Sequence, residues 1–152
     1  LRTHSEHTIN ILQGTQTDYN GNGRGENPGR GVGVPHFLDL IENQLDIVAH
    51  APGATTTLQS ELEFIRVCVQ NTRLRVDDLV SAAQSLAKLD DMAAASQPAA
   101  QAVALADALL HGIDQNGNGQ IEAFEGECGL DQISTFGLLV SSMSLVEGAL
   151  PE

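Results

Sequence analysis

The 152-residue chain has no tryptophan, one tyrosine and four phenylalanines, so it lacks the aromatic faces on which bases and sugar rings stack. Lys88 is its only lysine, and seven Lys and Arg stand against twenty Asp and Glu, a formal charge of −13. Nucleic acids and anionic membrane surfaces bind through clustered cations, so neither is expected as a partner. No run approaches eighteen apolar residues, so no membrane-spanning helix is expected. The opening LRTHSEH is polar and contains no apolar signal core. With Leu1 in first place, the expectation is processing or a fragment, which leaves room for an export signal upstream.

Cysteine is also scarce. Cys68 and Cys128 stand far apart and form no CxxC, zinc ribbon or haem-attachment motif. Two readings stay open, a pair of separate buried thiols or a disulfide, and the even count in an acidic, lysine-poor chain favours the disulfide and an oxidising compartment. Closing so long a loop would contribute about 4 kcal/mol.

What the sequence does have is helical periodicity and a hydrophobic content of 41%, enough for one domain, residues 1–152, with a real core. Thr3 and Glu6 have the spacing of a capping box before Ile9, Ile11 and Leu12, and Gly14 stops that helix. Residues 15–34 are too rich in Gly, Asn and Pro for a regular element. Pro35 then sits where a first-turn proline belongs, and Phe37, Leu38, Ile41, Leu45 and Val48 trace one face.

From Thr55 to Asp91 there is neither Gly nor Pro. Leu58, Leu62, Ile65, Val69, Thr72, Val76, Leu79, Ala83 and Leu86 form a seam on one helix, or on two broken near Asn71. A core-facing bundle helix is the better reading than a coiled-coil dimer, because opposite charges do not flank the seam. Ser96 and Pro98 are expected to restart a helix with Val103, Leu109, Leu110 and Ile113 buried. A last helix is expected from Asp131, as N-cap, through Ile133, Phe136, Leu139, Met143 and Val146 to Gly148. The run Gly137–Val140 and the Ala-rich stretch before the second loop could be packed surfaces between subunits or core, and core is the better reading. The predicted fold is all-α, a compact bundle of five or six helices with two calcium-type loops.

Those loops carry the chemistry. DYNGNG at 18–23 recurs as DQNGNG at 114–119, each after a helix. In the second, Asp114, Asn116, Asn118, Gly119, Ile121 and Glu125 fall at positions 1, 3, 5, 6, 8 and 12 of DQNGNGQIEAFE. Oxygens at alternate positions converge on one side of a tight turn, and the glycine allows the bend.

This stretch resembles an EF-hand calcium loop over its whole length. The resemblance implies ligands from Asp114, Asn116, Asn118, the Gln120 carbonyl, Glu122 through water, and Glu125 on the first turn of an exiting helix. It also implies a short backbone pairing at Ile121 that couples two loops. Calcium suits seven flexible oxygens better than magnesium does, and two Asn in place of Asp point to a dissociation constant of about 10⁻⁴ M, adequate outside the cell.

The first loop is a variant of the same pattern: Asp18, Asn20, Asn22 and Gly23 match, Arg24 holds position 7, but Gly25 stands at position 8 and Gly29 at position 12. Glu26, or Asp39 reaching back from the next helix, would complete it. The whole is similar to small bacterial extracytoplasmic modules in which variant DxNxNG loops brace a helical bundle.

His4 and His7 share a helix face and could hold a transition metal or haem with His50 or His111, though surface roles explain them as well. No nucleophile elbow, phosphate loop or HExxH appears, so an enzyme is not expected.

The expected function is an extracellular or cell-surface structural module that binds one or two Ca²⁺, serving as a scaffold, adhesion or self-assembling fibre or surface subunit. A sensor that opens on calcium is the alternative. Only Met92 and Met143 are available for the Met-rich groove a sensor exposes.

Overall fold

Five helices make up the computed structural model, which describes residues 1–143: α1 (Arg2–Gln13), α2 (Val34–Ala49), α3 (Thr56–Ala87), α4 (Met92–His111) and α5 (Leu130–Ser142). No strand occurs among the described residues. The Gly- and Pro-free stretch forms one unbroken helix, α3, capped by the Thr55 hydroxyl, which accepts from the Leu58 amide at 3.2 Å. The other four helices all pack on it. Of the predicted seam, every residue from Leu62 to Leu86 is buried, and Leu58 packs on the core from its edge.

Two apolar clusters share α3. Leu38 and Leu45 of α2, Leu62, Ile65, Cys68 and Val69 of α3, Ile133 of α5, and Cys128 just before α5 form one. Ile9 and Leu12 of α1, Val76, Leu79, Val80 and Ala83 of α3, and Leu109 of α4 form the other. Each fully buried large side chain contributes on the order of 1.5–3 kcal/mol. Cys68 and Cys128 lie at disulfide distance, 2.16 Å between sulfurs, and tie the first cluster across 60 positions.

Several local expectations are corrected. Helix α1 starts at Arg2 with Leu1 as N-cap and no side-chain cap, so Thr3 and Glu6 form no capping box; Glu6 is fully buried and turned to the following loop. Asn71 does not break α3 but bonds to a distant loop. Helix α4 starts at Met92, capped by the Asp91 carboxylate, with Pro98 inside it. Its buried residues are Ala95, Ala108 and Leu109, while Val103, Leu110 and Ile113 are exposed, because small alanines allow close packing on α3.

Helix α5 begins after Gly129, not at Asp131. The Gln132 side chain accepts the Gly129 amide, and Asp131 is left free to face His111. In the run Gly137–Val140, Leu138 and Leu139 are exposed rather than core. Val146 and Gly148, expected in this helix, lie outside the described residues, and α5 ends at Ser142.

Candidate functional site

The two Asn-Gly loops fold alike, bond for bond. In the first, Asp18 Oδ1 accepts from the amides of Gly21 and Asn22 at 2.7 and 3.2 Å, and Oδ2 accepts from Gly23 at 2.7 Å. In the second, Asp114 Oδ1 accepts from Gly117 and Asn118 at 2.7 and 3.1 Å, and Oδ2 from Gly119 at 2.7 Å. Asn20 and Asn116 each accept the amide two residues on, both at 3.0 Å, and Asn22 and Asn118 do the same at 2.8 Å. The glycines agree as well: Gly23 has φ +84° and Gly119 +83°, left-handed values that a side chain adopts only at a cost.

The common cause is sequence. D-x-N-x-N-G supplies short oxygens at every second residue, and each bonds the next amides of its own turn. Burial raises the Asp18 carboxyl, but the bonds from Gly23, Gly21, Asn22 and Asn20 outweigh it and hold the group below its ordinary range.

Each loop is closed by a buried carboxylate. Glu6, on α1, accepts from the Tyr19 and Asn20 amides with Oε2 at 2.8 and 3.0 Å, and from the Glu26 amide with Oε1 at 2.9 Å. Glu127, on the turn after the second loop, accepts from Asn116 with Oε1 at 3.2 Å and from Glu122 with Oε2 at 3.1 Å. Both are 0% exposed. Sequence reading assigned neither of them to a site. A Glu on the helix just before the first loop, and a Glu just before Cys128, were the only signals available.

Two buried asparagines anchor the loops to helices. Asn10 of α1 donates to the carbonyls of Thr17 and Glu26 at 2.9 and 3.0 Å and accepts from Thr15 and Thr17. Asn71 of α3 donates to the Phe124 carbonyl at 2.8 Å and accepts from the Gly126 amide at 2.9 Å. Beside it, the guanidinium of Arg75 donates to the carbonyls of Gly126 and Glu127 at 2.6 and 2.7 Å and to that of Cys128. Burial pushes Arg75 below its usual range, but an arginine stays charged.

The remaining predicted ligands fall as follows. Arg24 and Gln120 hold position 7, each donating its amide to the position-5 side chain. Glu122 accepts from the Asn118 side chain at 2.7 Å, and Glu26 lies 3.4 Å from His7 Nε2 and 3.6 Å from Arg24. Asp39 is not at the first loop; it pairs with Arg73 of α3 at 2.7 Å. Glu125 is exposed in a turn, and no helix begins there, since α5 starts five residues on at Leu130.

Ile121 makes no strand pairing. Its side chain packs against the cluster around the disulfide. His4 and His7 are neighbours, with ring centres 5.9 Å apart, and no three His, Cys, Asp or Glu side chains gather as a metal group among the described residues. The loops' own oxygens are those of the Asp and Asn side chains, with the Glu26 and Glu122 carboxylates beside them, a set that suits hard cations. No family model, curated protein or solved structure matches this chain.

Proposed function

We propose that the protein is a non-catalytic calcium-binding structural module that works outside the cytosol, with Ca²⁺ locking both Asn-Gly loops onto a helical bundle. The observation that carries this reading is the bond-for-bond agreement of the two loops, each turning hard oxygens of Asp and Asn into one tight turn. In the first loop Asp18, Asn20, Asn22, the Arg24 carbonyl and Glu26 are the candidate holders. In the second they are Asp114, Asn116, Asn118, the Gln120 carbonyl and Glu122, with Glu125, which stands exposed in a turn, left outside the set. Bound calcium would offset part of the −13 charge and rigidify both turns.

A sensor that opens its helices is less well supported. Asn71, Arg75 and the Cys68–Cys128 pair hold the second loop to α3 by three independent links. A scaffold or self-assembling role is consistent with the apolar groove of about 470 Å³ between α2 and α5, flanked by exposed Phe37 and Leu40.

Calorimetric titration with Ca²⁺, with and without chelator, tests the proposal beside sedimentation velocity on the same samples. Two bound ions and a raised melting temperature are expected. A chain that takes up no calcium at millimolar concentration refutes it. Growth in particle size on adding calcium would favour the self-assembling form of the module, and an unchanged monomer the stand-alone form.

A further inference from the structure

We infer that Glu6 and Glu127 are the carboxylate ligands that close the two calcium sites, taking the role that the loop pattern would give to position 12. The inference rests on the calcium reading above and goes beyond it by naming ligands that lie outside both twelve-residue loops.

The first support is equivalence. Counting from Asp18 and Asp114, Glu6 and Glu127 each bind the amides of positions 3 and 9, one carboxylate oxygen to each. One arrives from the helix before its loop and the other from the turn after it, so the chain reaches the same station from opposite directions. Gly29, at position 12 of the first loop, has no side chain to offer. A single ligand plan for both loops therefore requires Glu6 in the first and, by the same geometry, Glu127 rather than the exposed Glu125 in the second.

The second support is charge. Both carboxylates are 0% exposed, and neither has a Lys, Arg or His partner within 4 Å among the described residues. Buried carboxylates are paired with cations or bind metals, because neutral amides alone offset only part of the lost hydration. Arg75, the one buried cation among the described residues, spends its donors on the Gly126 and Glu127 carbonyls instead.

The third support is Asn20. It is 5% exposed, and its Oδ1 is fixed inside the loop by the Asn22 amide, yet its Nδ2 has no hydrogen-bond partner. An Nδ2–H group donates and cannot itself hold a cation; it calls for an acceptor, which a water carried by a bound ion supplies.

Calorimetry on the full chain and on three variants, each checked for helicity by circular dichroism, decides the matter. E6Q should remove the first calcium and E127Q the second, each weakening its site by about a hundredfold or more, while E125Q keeps both ions within about twofold. Infrared difference spectra on adding Ca²⁺ should show glutamate carboxylate bands that shift in the wild type and in E125Q. This readout does not require the Gln variants to fold.

E125Q dropping to one ion, or helical E6Q and E127Q binding two ions as the wild type does, overturns the inference and leaves the calcium reading standing. Wild-type protein that binds no calcium overturns both.

Discussion

Asn71, in the middle of α3, holds both sides of one peptide turn: its Nδ2 donates to the Phe124 carbonyl at 2.8 Å and its Oδ1 accepts the Gly126 amide at 2.9 Å. This places the end of the second loop against the longest helix. Asn71→Leu keeps the volume but leaves the Gly126 amide without its partner and the Phe124 carbonyl with only the Glu127 amide, so it should destabilise the fold by about 1–3 kcal/mol. On the proposed calcium reading, it should also weaken binding in the second loop and spare the first. Chemical denaturation paired with calcium titration reads both effects, and equal loss at both sites would show that Asn71 is not a local anchor.

Removing the Cys68–Cys128 link by the double change to Ser should lower stability by about 4 kcal/mol, since it closes a loop of 60 positions. The link lies one residue from Glu127 and within the same cluster as Ile133, so on the proposed calcium reading the loss should be accompanied by weaker binding in the second loop. Thiol labelling under denaturing conditions, before and after reductant, checks the bond itself. Two free thiols in untreated protein would contradict it.

One substitution should act with opposite signs at two glycines. Gly119 has φ +83° and open space around the place of a Cβ, so Gly119→Ala costs only backbone strain, about 1–2 kcal/mol. Gly137 lies inside α5 with equally open space, so Gly137→Ala should raise stability by up to about 1 kcal/mol. Thermal unfolding in excess calcium separates the two, and a loss at both positions would mean that α5 is not helical there.

His111 ends α4 and bonds Asp131 of α5 at 2.7 Å, joining the two helices at the base of the second loop. That bond outweighs desolvation, and with the charges of Asp131 and Asp107 it raises the imidazole above its ordinary value. The folded form thus holds the proton more tightly than the unfolded chain. The stabilisation is fully present below the unfolded value near ~6.5 and disappears as pH rises through the higher folded value. Proton NMR should find His111 titrating above the ordinary histidine value, and Asp131→Asn should return it towards that value.

Much of the helical plan was legible in the residues alone, but unevenly. The seam from Leu62 to Leu86 identified the central helix because burial on one face repeats every three or four residues. The Ala-rich α4 misled for the opposite reason: its large residues Val103 and Leu110 are exposed and its buried contacts are made by alanines. Hydrophobicity tells which residues can be buried, not which are. Glu6 was misread as part of a cap because the Thr3–Glu6 spacing satisfies a local rule, whereas its side chain bonds residues 19, 20 and 26.

The sequence by itself determined the two turns. Asp, Asn and Gly at alternate places bond their own neighbouring amides, so D-x-N-x-N-G fixes its shape over six residues and does so twice. Only the tertiary structure decided what closes them. Glu6 reaches its loop from a preceding helix, while Glu127 reaches its own from a following turn held by Asn71, Arg75 and Cys68 of α3. Local hydrogen bonds are encoded by spacing along the chain. A buried carboxylate is placed by the packing of distant helices, which no local pattern records.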